Sequence, residues 1–404
     1  MNKLIIIATL SFLLLSCKNG VNNVEIKDSL LSVTDSLTLQ LQEIQDKHVL
    51  PGFALSIFTK DSILYLRGFG YSSVKSKKPY SVENVQIIAS ITKTLIGVSL
   101  MKVVEDGKLD LDEKVNDILP YKVFNPMFPN KSITVRHLAT HTSSISDTDK
   151  SDAGYRFESP LLKTDFPDAH HKYFEKLNKS DELSMANFLE YKLSAQGKWF
   201  DPDIFISNEP GTIYEYSNLG ATLLAHCIEI RTGESFKDYT DRLILRPLKM
   251  NATTWNPNDI SPEDQVVYYN EMLNEVPNYT LVSYPDGGLY SSVNDLTKYF
   301  QEMMKGYTGE GQLLKSESYQ EMMTRQFEDE EITEGLCWDL SMGSDLIGHS
   351  GNDFGTATLA YFSPSTGIGR ILFTNISTET DEIADSFYGI YNLLFKYQLD
   401  YFLN

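Results

Sequence analysis

The chain has 404 residues, 42% of them hydrophobic, which is enough for a large core and two or three domain-sized units. Its formal net charge of −20 excludes nucleic acid as a partner and excludes docking on anionic lipid through a basic patch.

"MNKLIIIATLSFLLLSC" opens with a basic residue, Lys3, and an apolar run from Leu4 to Leu15. That run is shorter than the roughly 20 residues a membrane-spanning helix needs, so residues 1–17 read as an export signal. Leu14 to Cys17, "LLSC", has the form of a bacterial lipobox. Cys17 is therefore the expected lipidation site and the protein's contact with a membrane, on an exported, cell-envelope, periplasm-facing molecule. Residues 18–25 would be a polar tether and 26–404 the folded body. Two other cysteines, Cys227 and Cys337, read as buried small apolar residues, with pairing left open by an oxidising compartment.

Leu30, Val33, Leu37, Leu41 and Ile44 mark one face of a helix that ends at Pro51-Gly52. "FALSIFTKDSILYLRGFGY" (53–71) predicts two strands joined at Lys60-Asp61. A helix is expected from Ser90 to about Gly107, and another within "LGATLLAHCIEIRT" (219–232). Residues 150–182 carry the least pattern and read as a surface insertion. "LIGHS" (346–350), "TATLAYF" (356–362) and "GRILFTNIS" (369–377) predict consecutive antiparallel strands, with a turn at 363–367. Ile383, Phe387, Ile390 and Leu394 predict a closing helix. The fold class is α+β: an antiparallel sheet with N- and C-terminal helices on it, from about 26–90 and 280–404, and a mainly helical region, about 91–279, inserted between its halves.

Ser90 and Lys93 stand three apart in a long apolar run, so they share a helix face. Serine needs a neighbouring base to become a nucleophile. Apolar surroundings and the helix dipole are expected to lower the Lys93 pKa. A neutral amine could take the serine proton, and an ammonium could stabilise the alkoxide. The helix start also offers a free main-chain N–H for an oxyanion. Two further motifs follow in order: Tyr216-Ser217-Asn218 before a helix, and His349-Ser350-Gly351 on a strand.

S-x-x-K, Y-x-N and a basic residue followed by Ser-Gly, in that order, resemble the serine β-lactamase and penicillin-binding protein superfamily, in its class C-like branch of D,D-peptidases, D-aminopeptidases and esterases. "GKLDLDEKVNDILP" (107–120), "ITVRHLATHTSSI" (133–145), "EPGTIYEYSN" (209–218), "LILRPLKMNATTW" (243–255) and "GGLYSSVNDLTKYF" (287–300) extend the resemblance over most of 45–375. It implies a β-lactamase/transpeptidase-like fold and two-step acyl transfer on a D-amino-acid peptide, ester or β-lactam, with no cofactor and no metal. Ser90 would be acylated, with Lys93 and Tyr216 sharing the base role. Asn218, His349, Ser350 and Gly351 would bind substrate, and the main-chain N–H groups of Ser90 and Asn352 would form the oxyanion hole. The departure is His349, where lactamases usually carry lysine. Its imidazole is mostly neutral at neutral pH if unperturbed, so carboxylate capture there should be weaker and pH-dependent. The alternative is a catalytically silent ligand-binding or sensor lipoprotein on the same fold.

Other patterns are weaker. Ser350 in "GHSGN" lacks the second glycine of a nucleophile elbow. His137 and His141 lack the glutamate of a zinc motif, and His141 is expected to be a buried, hydrogen-bonded residue. His170-His171 read as surface, and Asp110 and Asp112 as turn and cap residues.

Overall fold

The structure, a computed structural model, describes residues 33–147, 154–166, 183–329, 331–343 and 345–397. The export signal, Cys17, the tether, Leu30 and His170-His171 lie outside the described residues. Among the described residues no helix is long and apolar enough to cross a membrane.

The frame is one antiparallel six-stranded sheet. Strands β1 (Gly52–Phe58), β2 (Ile63–Ser73) and β3 (Lys78–Pro79) come from the start of the chain. Strands β4 (Ile347–Asp353), β5 (Thr356–Ser363) and β6 (Ile368–Thr374) come from the end. Their spatial order is β4-β5-β6-β1-β2-β3, so β1 against β6 joins the two ends of the chain, from Phe53↔Thr374 to Phe58↔Gly369. Pro79, which has no N–H to give a ladder, sits on the edge strand. The predicted strands and their turns are all present, with Thr59 N–H bonded to Ser62 O in the first hairpin.

Every residue of β1, β5 and β6 is buried, because both faces of the sheet are covered. On one face lie helix α1 (33–45) and the C-terminal helix. Leu37 and Leu41 of α1 meet Leu55, Leu359 and Leu372 of the sheet, together with Phe387, Ile390 and Leu394. The opposite face, through Ala54, Phe58, Ile371 and Phe373, joins the main core under the helical region. Two-sided burial explains why these strands read as near-continuous apolar runs rather than alternating ones.

Helix α2 (Lys93–Glu105) runs through the middle of that main core, buried on nearly all sides. It stops at Gly107, whose φ of +67 suits glycine, as the sequence predicts. Helix α3 (Asn218–Thr232) packs beside it, α4 (Val293–Tyr307) lies on the sheet, and α5 (Asp381–Lys396) closes the chain.

Two expectations need correction. Ser90 does not begin an α-helix: Ala89–Thr92 form a 3-10 turn ahead of α2. The unpatterned 150–182 stretch is not simply an outer insertion. Its described part contributes a strand, Tyr155–Phe157, paired with Tyr279–Leu281, and its aromatic rings pack on Tyr279 and Phe354.

Candidate active site

The chain reaches Ser90 from a short strand, Gln86–Ile87, paired with Tyr290–Ser291. Ile88 N–H bonds Leu289 O, and Ile88 O accepts from Thr358 Oγ1 of β5 at 2.9 Å. Fixed at both groups, the chain turns at Ala89, whose φ of +46 costs a non-glycine residue about 1–2 kcal/mol. The turn delivers Ser90 into 3-10 geometry. Side chains at i and i+3 eclipse in a 3-10 turn, so Lys93 lies directly over Ser90, with Nζ 3.0 Å from Oγ.

Lys93 is fully buried. A bare ammonium there would cost several kcal/mol. Its Nζ has three acceptors within reach: Ser90 Oγ, Asn218 Oδ1 at 2.6 Å and the Asp286 main-chain oxygen at 2.5 Å. The Tyr216 ring centroid lies 5.0 Å from Nζ. Burial pulls the lysine pKa down, but the Tyr216 phenol oxygen and the carboxylates of Asp286 and Asp147 outweigh it, so the pKa is raised. This overturns the expectation of a lowered pKa: the apolar run is real, yet the groups that fold around the amine are negative. Burial lifts Asp286 in turn to about 7, against the pull of Lys93 and bonds from Ser283 and Thr222. Of this coupled pair, Lys93 stays charged at neutral pH and Asp286 carries the titration.

The second motif is built on the start of α3. Ser217 is its N-cap, accepting from Gly220 N–H at 2.9 Å. Asp147 completes the cap, accepting from Asn218 N–H at 2.7 Å and Leu219 N–H at 3.1 Å. A carboxylate at a helix N-terminus is favoured by the dipole as well as by these bonds. Asn218, so pinned, aims its Oδ1 at Lys93. His141, as expected, is a buried, hydrogen-bonded residue. It accepts from Ser217 N–H through Nδ1, its ring lies 4.5 Å from that of Tyr216, and burial holds its pKa well below the usual value. Tyr216 is thus wedged between His141 and His349, whose ring centroid is 6.3 Å away.

The third motif forms the adjacent wall on β4. A Cβ at Gly351 would lie 2.6 Å from Ile88 O, 2.6 Å from Thr358 Oγ1 and 2.9 Å from Ser90 N, so only glycine lets the strand come this close to Ser90. His349 is buried. Desolvation and then Lys93 push its pKa down to about 4, so the pH-dependence expected near its ordinary value moves well below neutrality.

Two openings meet at Ser90. One, of about 110 Å³, is lined by Asn218, Asp147, Asp286, Tyr155 and Asp353. The other, of about 240 Å³, is lined by Tyr216, His349, Ser350, Gly351 and Asn352. Ser90, Lys93, Tyr216, Asn218, His349, Ser350, Gly351 and Asn352 therefore come to one place from three distant segments. Sequence reasoning missed Asp147, Asp286 and Tyr155. Asp147 stands two residues past the quoted 133–145 segment, and Asp286 one residue before the 287–300 segment, so the motif edges were the available signal. Tyr155, which donates to Asp353 Oδ1 at 2.8 Å, had none.

The remaining candidates take structural places. His137 Nδ1 accepts from Thr134 N–H in a capping box. Asp112 pairs with Arg136, and Asp110 accepts from Asp112 N–H. Cys227 and Cys337 are both buried and unpaired, and burial pushes each thiol up to about 12.

The Beta-lactamase family model matches residues 39–390. The chain belongs to this family. Among curated members it is 28% identical over 323 residues to the mouse "Serine beta-lactamase-like protein LACTB, mitochondrial", covering 66% of this chain and 56% of that protein. It is 22% identical over 346 residues to "Protein flp" of Staphylococcus aureus strain MW2, covering 85% and 63%. The chain thus spans a little under two thirds of the length of the curated relatives it matches. Among solved structures, the octameric penicillin-binding protein homologue from Pyrococcus abyssi shares the fold with a TM-score of 0.67 at 24% identity, over 89% of this chain and 77% of that one. A class C beta-lactamase in complex with cefoxitin has a TM-score of 0.67 at 19% identity, over 90% and 99%. A D-stereospecific amidohydrolase from Streptomyces has a TM-score of 0.57 at 22% identity, over 84% and 94%. The antiparallel sheet, its flanking helices and the inserted helical region match that fold.

Proposed function

We propose that this protein catalyses two-step acyl transfer through an acyl-enzyme at Ser90, on amide or ester substrates such as D-amino-acid peptides, small esters or β-lactams. One observation carries the reading: a fully buried ammonium, Lys93, points a donor at the Ser90 hydroxyl from 3.0 Å. A charged Lys93 cannot take the serine proton, so it stabilises negative charge on Oγ and on the Tyr216 oxygen, and Tyr216, acting as its phenolate, accepts the proton and becomes the phenol that later gives it up. Ser90 Oγ then bonds the carbonyl carbon. The main-chain N–H groups of Ser90 and Asn352 hold the oxyanion, each such donor being worth about 3 kcal/mol. The C–N or C–O bond breaks, and the leaving atom collects the proton. Water repeats the sequence against the acyl-enzyme and releases the acid.

A hydrolysis screen over D-Ala-D-Ala peptides, p-nitrophenyl esters and nitrocefin tests this, with Ser90→Ala as control. Turnover of at least one class is expected, abolished in Ser90→Ala. Lys93→Ala and Tyr216→Phe should each lose about 10²–10⁴-fold with the fold intact. Binding without any turnover would support a silent binding protein, and wild-type rates in folded Lys93→Ala would refute the assigned roles. We also propose export and lipid anchoring at Cys17, supported by the 1–17 pattern. Radiolabelled palmitate should be incorporated in the wild type and not in Cys17→Ala; equal incorporation would refute the anchor.

A further inference from the structure

Lys93 is the one cation at Ser90, and more than one acid depends on it. Among the described residues no lysine or arginine lines either opening. His141, His349 and Cys337 also face the amine, but burial keeps all three neutral near pH 7. Three carboxyls lie around it, and they are held differently. Asp147 accepts two main-chain N–H groups at the start of α3. Asp353 accepts Phe354 N–H and the Tyr155 hydroxyl, each at 2.8 Å. Asp286 has no such support. Among the described residues no main-chain N–H reaches its carboxyl, which takes hydroxyl donors alone, Thr222 Oγ1 at 2.9 Å and Ser283. It is buried, and its main-chain oxygen is one of the three acceptors of Lys93 Nζ, so the residue is tied to the amine. A buried carboxylate with only hydroxyl donors depends on the nearest cation for its charge. Tyr216 needs that same cation: Nζ stands 5.0 Å from its ring centroid, and the phenolate is the form that takes the serine proton. Helix α3 fixes both sides of the contest, since Asn218, which holds Lys93, and Thr222, which holds Asp286, are four residues apart on one face.

We propose that Asp286 is a positioning residue that competes with Tyr216 for the charge of Lys93, and so sets the pH at which Ser90 becomes reactive. The proposal rests on the acyl-transfer reading of Ser90 and adds the control of that site. With Asp286 ionised, the ammonium is already balanced, and taking the proton from Tyr216 puts a second negative charge beside it. With Asp286 protonated, the same loss leaves a single ion pair. The two acids therefore release their protons in two linked steps, the first as pH rises through about 7. Two like charges flanking one buried cation separate those steps by on the order of one pH unit. The ionised carboxyl thus delays the phenolate, and the neutral one permits it.

Phosphonylation of Ser90 by an uncharged alkyl fluorophosphonate, followed by intact mass from pH 5 to 9, tests it, because the probe has no titrating group of its own. Asp286→Asn keeps the size and the hydroxyl bonds and removes the charge. Its rising limb should move about one pH unit toward acid, which is about tenfold faster labelling at a pH on the limb. Thr222→Val removes the hydroxyl donor that favours the ionised carboxyl, so it should move the limb the same way by less. A second readout does not need the reaction: the 13Cζ-tyrosine NMR signal that is missing in Tyr216→Phe should titrate at lower pH in Asp286→Asn than in the wild type. Thermal melting confirms that the variants fold, and Thr222→Val decides if Asp286→Asn does not. A limb that stays in place or moves toward alkali in Asp286→Asn would overturn the proposal. So would a rate lowered equally at every pH, the mark of a merely structural role. Absence of labelling in the wild type at any pH overturns the acyl-transfer reading instead, and the NMR titration then decides alone whether Asp286 and Tyr216 share the cation.

Discussion

Gly351→Ala is a single methyl group placed where the structure leaves no room. The new carbon would stand 2.6 Å from Ile88 O and from Thr358 Oγ1, and 2.9 Å from Ser90 N. Ordinary contacts of this kind begin at 3.4 Å, so β4 and the Ser90 turn must separate by several tenths of an ångström to about 0.8 Å. Thr358 bonds Ile88 O and cannot yield without breaking that bond. The strain should cost about 1–3 kcal/mol of stability, seen as a Tm lowered by several degrees. The kinetic cost should be larger. The same displacement moves Asn352 away from Ser90, and a misplacement approaching 1 Å costs on the order of 10² in rate. Acylation of purified protein by an activated ester, followed by stopped flow with melting curves alongside, measures both. Gly389→Ala is the control: a Cβ there meets nothing within 4 Å, and alanine within a helix stabilises by about 0.5–1 kcal/mol. Wild-type acylation by folded Gly351→Ala would refute the claim that β4 must approach Ser90 this closely.

Asp286 should make stability depend on pH. A carboxyl raised from 3.8 to about 7 favours the protonated form in the fold. Its contribution is complete below the unfolded value and is lost as pH rises through about 7, on the order of 4 kcal/mol across that window. Tm measured from pH 4 to 8 should fall more steeply in the wild type than in Asp286→Asn; parallel curves would contradict this. Asp147→Ala removes the carboxylate that caps α3, so it should cost about 1 kcal/mol in a urea titration and lower kcat, because Asn218 loses its anchor. A stability loss without a kinetic effect would show that Asn218 is positioned by other contacts.

The sheet was legible because its strands are long, apolar and bounded by turns, and because "FALSIF" and "GRILF" need no partner to look like strands. The Ser90–Lys93 pair was legible through spacing: a serine and a lysine three apart share a face in either an α-helix or a 3-10 turn, so misjudging the turn did not lose the pair. What could not be read was charge at a distance. The Lys93 pKa depends on Asp286 and Asp147, which come from different loops, and no local pattern links them to residue 93. His349 was read as neutral by its reference value, but the depth of that neutrality comes from burial and from Lys93, both tertiary. Tyr155 lies in a stretch without periodicity, because its short strand is stabilised by aromatic packing on Tyr279 and Phe354 rather than by its own alternation.

Covalent labelling of the serine at the head of α2 is the most direct measurement. A fluorophosphonate adduct, digested and mapped by tandem mass spectrometry, should fall on Ser90 alone, at a rate that collapses in Lys93→Met and vanishes in Ser90→Ala. An adduct on another residue, or labelling unaffected by either substitution, would contradict the account.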